Sequence, residues 1–141
     1  MDSFKIFFPL EKIPTATHQG KKVNIRNGKP QYYEPEAQNT ARGVFMARLG
    51  SVKPKVPLDG PLSLIIKWAF PSDRKHPAGM WKTTKPDTDN LIKMIKDCMT
   101  ACGYWRDDAQ VVQERSEKFY WDVPGIYIQI DGLGDGQNET D

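Results

Sequence analysis

Apolar residues recur along this chain with two periods, and the change from one to the other marks out its elements. Phe4-Lys5-Ile6-Phe7-Phe8 is aromatic and β-branched and is bounded by Pro9, which predicts a strand. Lys22-Val23-Asn24-Ile25-Arg26 alternates polar and apolar, then meets Asn27-Gly28, a dipeptide that favours a two-residue hairpin turn. Pro30 to Tyr33 is the predicted return strand. From Glu34 to Leu49 the period lengthens. Ala37, Ala41, Val44, Phe45 and Leu49 share a helical face, Pro35 is tolerated in the first turn, and Gly50 is the predicted stop. Leu62 to Phe70 is the strongest strand pattern, and its middle is apolar on both faces, as in a central strand. Thr88 to Ala101 places Leu91, Met94, Ile95, Cys98 and then Cys102 on one helical face. Asp87 or Thr88 is its predicted cap and Gly103 its stop. Val111 to Tyr120 and Gly125 to Ile130 alternate as two strands joined by a short turn at Asp122-Val123-Pro124.

This order predicts a mixed α/β (α+β) domain: a mixed sheet of about four strands with two main helices packed against it. A chain of 141 residues fits one domain, placed at 1–131. Residues 132–141 are Gly-rich and acidic and are expected to form a flexible tail. No apolar run approaches the ~20 residues of a membrane span, and Lys5 interrupts the short N-terminal run that a signal peptide would need. The expectation is a soluble, cytoplasmic protein with no membrane partner. Cys98 and Cys102 lie four apart in a helical pattern, with no further Cys or His at ligand spacing. That argues against zinc and for buried, reduced thiols.

The net charge of +2 is uninformative, but the distribution is not. From Lys12 to Lys55 the bases Lys12, Lys21, Lys22, Arg26, Lys29, Arg42, Arg48, Lys53 and Lys55 face only Glu34 and Glu36. From Lys67 to Lys85 only Asp73 opposes Lys67, Arg74, Lys75, Lys82 and Lys85. Such segments suit a polyanion. Lys21, Lys22 and Arg26 on the hairpin are candidate DNA contacts. So are Lys75, Lys82 and Lys85 on the long loop from Pro71 to Pro86, where Trp81 offers a stacking ring. The plainer reading makes the hairpin a surface ribbon, Trp81 a pin between loop and core, and His76 an exposed loop histidine.

The candidate chemistry lies in Asp87-Thr88-Asp89 at the helix start, Lys93 one turn further, and Asp107-Asp108 beyond the helix. Hydrolysing a phosphodiester needs a hydroxide nucleophile and compensation for charge on the departing oxygen, and a hard divalent cation supplies both. Mg²⁺ prefers oxygen ligands and keeps some waters, so two or three carboxylates suffice. Asp108 joins the others only if residues 103–110 run back along a helix ~22 Å long. An extended chain of that length can do so. Otherwise Asp87 and Asp89 cap a helix, Asp107 and Asp108 form a turn, and Lys93 makes an i,i+4 ion pair of ~0.3–0.5 kcal/mol.

Asp87-Thr88-Asp89-Asn90-Leu91-x-Lys93, followed by Gly103-Tyr104-Trp105-x-Asp107-Asp108-Ala109-Gln110-Val111, resembles the signature of the RusA Holliday-junction resolvases. The spacing matches without a gap, and the layout agrees from end to end. The resemblance implies a homodimeric, Mg²⁺-dependent endonuclease, with Mn²⁺ able to substitute, that nicks four-way DNA junctions symmetrically in recombination and repair. It assigns Asp87, Asp89 and Asp108 as catalytic metal-binding carboxylates, Lys93 as the catalytic lysine and Asp107 as an accessory metal-site acid. Two-fold symmetry suits a substrate that needs two opposed nicks. The segment from Phe8 to Gln19 lacks the P-P-S-x-N opening of enteric members and looks like variants from phages and prophages of Gram-positive bacteria. Cleavage-sequence preference is therefore left open. The alternatives are a nuclease for flaps or other branched DNA, and a junction-binding protein without catalysis. The intact acids and lysine disfavour the last.

Overall fold

The structure is a computed structural model that describes residues 3–14, 22–26, 29–33 and 36–134. Its elements are β1 (Phe4–Pro9), β2 (Lys22–Arg26), β3 (Lys29–Tyr33), α1 (Glu36–Val52), β4 (Leu62–Pro71), α2 (Thr88–Cys102), β5 (Val111–Trp121) and β6 (Gly125–Gly132). A single 3-10 turn, Asp108–Gln110, precedes β5. The main sheet has the order β1-β6-β4-β5, and β2 pairs with β3 in a separate ribbon. The mixed α+β architecture is the one the patterning predicts. The hairpin turn at Asn27-Gly28, the residues Glu34 and Pro35, and the tail from 135 onward lie outside the described residues.

The apolar run of β4 is explained by its place between β6 and β5. Leu62, Leu64, Ile66 and Trp68 are fully buried on one face, beside Ile126, Ile128 and Ile130 of β6. Against them pack Ala41, Phe45 and Leu49 of α1 and Leu91, Met94, Ile95, Cys98 and Met99 of α2. Each large aliphatic buried here contributes roughly 1.5–3 kcal/mol. Ile13, from a segment with no periodic signal, is also buried in this core.

One expectation is corrected, the helix stop at Gly50, and one predicted connection takes an unusual path. A short turn normally leaves its two strands paired, yet β5 and β6 are not neighbours. The turn Asp122-Val123-Pro124 crosses the end of β4, which pairs with β5 in parallel and with β6 antiparallel. Gly125 permits this tight entry: a Cβ there would lie 2.5 Å from the Phe8 carbonyl oxygen. Helix α1 also runs through Gly50 to Val52. Its stop is Pro54, which disfavours helical geometry at Lys53.

Helix α2 ends where its sequence predicts. Gly103 has φ 87°, and the N–H groups of Gly103 and Tyr104 donate to Thr100 O and Met99 O. The buried Tyr104 hydroxyl donates to Leu49 O near the end of α1, at 2.8 Å, and so ties the two helices together. Among the described residues, no helix is long and apolar enough to cross a membrane.

Both cysteines are free thiols; Cys98 is buried and Cys102 half-buried. Burial pushes the Cys98 thiol up to about 11 from an ordinary 9.0. The unfolded chain therefore releases this proton first as pH rises, and folding stability falls between pH 9 and 11. Chemical denaturation across that window is expected to show a loss on the order of 2 kcal/mol. Cys98→Ala should flatten that part of the profile.

Candidate active site

Parallel strands need a crossover that spans the sheet. Between β4 and β5 that crossover is residues 72–87 followed by α2, which runs back along the sheet. Register sets Leu62 beside Val111 at one end of the β4–β5 pair and Pro71 beside Trp121 at the other. Asp87 and Asp89 stand at the end where these strands finish. Asp107 and Asp108 stand where β5 begins.

Asp87 occupies the N-cap of α2 with extended backbone, but its carboxylate makes no capping bond. Its carbonyl accepts from Leu91 N at 3.2 Å, as the first helical bond. Asp89 and Lys93 are exposed, four residues apart on one side of the helix. Capping is thus not what the Asp87 side chain does here.

Asp107 does cap: its Oδ1 accepts from Ala109 N at 2.9 Å. Gln110 completes the box, its Oε1 accepting from Asp107 N at 3.1 Å. The Gln110 amide also donates to Leu58 O and Gly60 O, and Arg106 pairs with Asp59. These bonds hold residues 106–110 at the far end of α2. Asp108, half-buried, does not return to the helix start as expected. Roughly 20 Å of helix or strand separates it from Asp87 and Asp89 in one chain. Accordingly, among the described residues no three His, Cys, Asp or Glu side chains are placed to hold a metal ion together. Asp87 and Asp89 are donors of the right kind for Mg²⁺ but are only two.

The sequence of the endodeoxyribonuclease RusA family matches residues 11–131. The chain belongs to the RusA endodeoxyribonuclease family. It is 34% identical over 129 residues to the crossover junction endodeoxyribonuclease rusA of Lactococcus phage r1t, covering 90% of this chain and 96% of that protein. It is 30% identical over 141 residues to the uncharacterized protein YqaN of Bacillus subtilis (strain 168), covering 92% and 96%.

In this RusA-family chain the long loop is held against β5. Gly79 N donates to Tyr120 O, Tyr120 N to Met80 O and Lys82 N to Lys118 O, so residues 79–82 extend the sheet edge. Trp81 does not pin the loop to the core. It is 63% exposed, edge-on to Phe119. His76 stacks on Tyr120 at 4.5 Å and pairs through Nδ1 with Asp73. The Lys82 ammonium donates to Thr84 Oγ1 at 2.8 Å and lies over the Phe70 and Tyr120 rings, so it is engaged within the loop. Lys75 and Lys85 are exposed. Lys22 and Arg26 stand at the two ends of β2, opposite Tyr33 and Lys29, and Lys21 lies outside the described residues.

Sequence reasoning passed over the polar side chains of β5. Glu114 receives Lys96 of α2 at 2.8 Å, and Ser116 accepts from the buried Trp68 indole at 2.9 Å. Lys118 donates to Thr84 O at 2.8 Å and Pro86 O at 2.7 Å. The available signal was parity: 114, 116, 118 and 120 alternate along one face of the strand.

If capping is the main structural task of Asp107, asparagine should serve almost as well. Asp107→Asn is expected to keep native stability within a few tenths of a kcal/mol, while Asp107→Ala should lose about 1 kcal/mol in urea denaturation.

Proposed function

We propose that this chain is a structure-selective endonuclease that resolves Holliday junctions in DNA recombination and repair, as a homodimer in a bacterial or phage-infected cytoplasm. The observation that carries the proposal is the full acid and lysine set of the RusA signature, with Asp87 and Asp89 exposed at one end of α2 and Asp108 at the other. One chain does not close the set. A second copy, related by a two-fold axis and with α2 running the opposite way, brings its Asp108 to the first copy's Asp87 and Asp89. The same operation completes a second set at the other end. Two sites separated by about the length of α2 suit two nicks on opposed strands.

Asp87 and Asp89 with Asp108 of the second copy would hold Mg²⁺, or Mn²⁺ in its place, and Asp107 would lie beside them. The bound ion supplies a hydroxide nucleophile at neutral pH and offsets charge on the leaving oxygen. Lys93, one turn into the helix, presents its ammonium to the scissile phosphate. Lys75 and Lys85 on the loop, with Lys21, Lys22 and Arg26 of the basic hairpin segment, receive the DNA arms; Lys82 acts by holding the loop.

Asp89→Asn and Asp108→Asn are each expected to abolish nicking of a synthetic four-way junction in Mg²⁺ while junction binding persists. Mixing the two inactive proteins should restore partial nicking, because a mixed dimer holds one complete set. A site closed within each chain would gain nothing from mixing. Cleavage of the junction against flap, fork and linear duplex tests the substrate.

The two loop lysines should separate by salt dependence. Lys85→Ala is expected to lower the slope of log affinity against log salt by about one. Lys82→Ala should leave the slope unchanged.

A further inference from the structure

Asp87 and Asp89 sit just beyond a long irregular segment, and nothing in their own side-chain bonding fixes the backbone that carries them. The Asp87 carboxylate makes no capping bond, so the packing of α2 directs Asp89, while Asp87 and the entry into the first turn depend on where residues 82–87 are held. One residue holds that segment at three points. Lys118 accepts from Lys82 N through its carbonyl at 3.1 Å. Its ammonium donates to Thr84 O at 2.8 Å and to Pro86 O at 2.7 Å. The last of these carbonyls belongs to the residue immediately before Asp87.

We propose that Lys118 is a positioning residue of the nicking site, a latch that fixes the backbone from which Asp87 and Asp89 project. This rests on the reading of those acids given above. Carbonyls in an irregular segment need donors that neither helix nor sheet supplies, and an ammonium offers up to three. Bonds from a charged donor are about twice as strong as neutral ones. The anchor itself is stiff: Lys118 pairs in register with Trp68, whose fully buried indole is tied to Ser116 on the same strand. A latch mounted on the sheet passes the rigidity of the core to the acids. Lys96 and Glu114 do the same for the middle of α2.

A half-buried lysine is costly unless its ammonium is bonded, and two carbonyls at 2.7–2.8 Å meet that need. Methionine would match the length and remove the donors. Arginine would keep charge and donors in a different shape.

The test uses the full chain as Lys118→Met and Lys118→Arg, with hydrogen exchange and junction nicking read separately. In Lys118→Met the Leu91 amide, bonded to the Asp87 carbonyl, should exchange at least tenfold faster, while the Lys82 amide, whose acceptor is the main-chain carbonyl of residue 118, and the β4 and β6 amides keep their protection. Single-turnover nicking in Mg²⁺ should fall on the order of 10²-fold, the loss expected for ångström-scale misplacement. Junction affinity in Ca²⁺ should stay within about twofold. Lys118→Arg should recover most of the rate.

Unchanged exchange in Lys118→Met would overturn the latch. So would a loss of affinity matching the loss of rate, with a salt slope lower by about one, since Lys118 would then be a phosphate contact. If Lys118→Met loses protection throughout the fold, Lys118→Arg decides. Native exchange with recovered nicking supports positioning, and native exchange without nicking overturns it. A native protein that nicks no junction would remove the functional reading, and the exchange comparison would still test the latch.

Discussion

The parallel pairing of β4 with β5 is the constraint from which the rest follows. Two parallel neighbours cannot be joined by a tight turn, so the chain must travel the length of the sheet between them. It does so through residues 72–87 and α2. That journey places the two halves of the RusA signature at opposite ends of one helix. The motif is continuous in sequence and divided in space. That division is the reason the proposed site draws on a second copy of the chain.

The same constraint shapes the edge of the sheet. β5 is an edge strand, and the alternate positions Glu114, Ser116, Lys118 and Tyr120 are polar or amphipathic rather than aliphatic. Each has a partner: Lys96, the Trp68 indole, the carbonyls before Asp87, and the ring of His76 with the Lys82 ammonium. An aliphatic row would have packed the crossover loosely and left its carbonyls without donors. A polar row fixes the loop's path instead. Residues 79–82 cover part of the exposed edge as well, which limits pairing of β5 with other chains.

The two ends of α2 are built differently. At the C-terminal end, Gly103, the Tyr104 hydroxyl, the Trp105 indole and the Gln110 amide bond to the last turn of α2, to Leu49 and to Leu58, and so fix the turn that carries Asp107 and Asp108. At the N-terminal end the acids stand exposed on a backbone steadied from outside.

The sequence by itself determined much of this protein. Short apolar runs, period-two alternation and period-3.6 patterns located every main-sheet strand and both helices, because burial leaves a local trace in hydrophobicity. The acids, the lysine and their spacing identified the family, because that chemistry resides in residue type and order. The stop of α1 was also in the sequence, at Pro54 rather than Gly50. Two things were settled only in the tertiary structure. The insertion of β4 between β5 and β6 depends on long-range pairing, to which a three-residue turn is blind. The separation of Asp108 from Asp87 and Asp89 depends on which way the chain leaves Gly103, and the bonds of Gln110 to Leu58 and Gly60, distant in sequence, decide it. Periodicity reports what a residue faces; only pairing between distant segments determines which end of a helix an acid reaches.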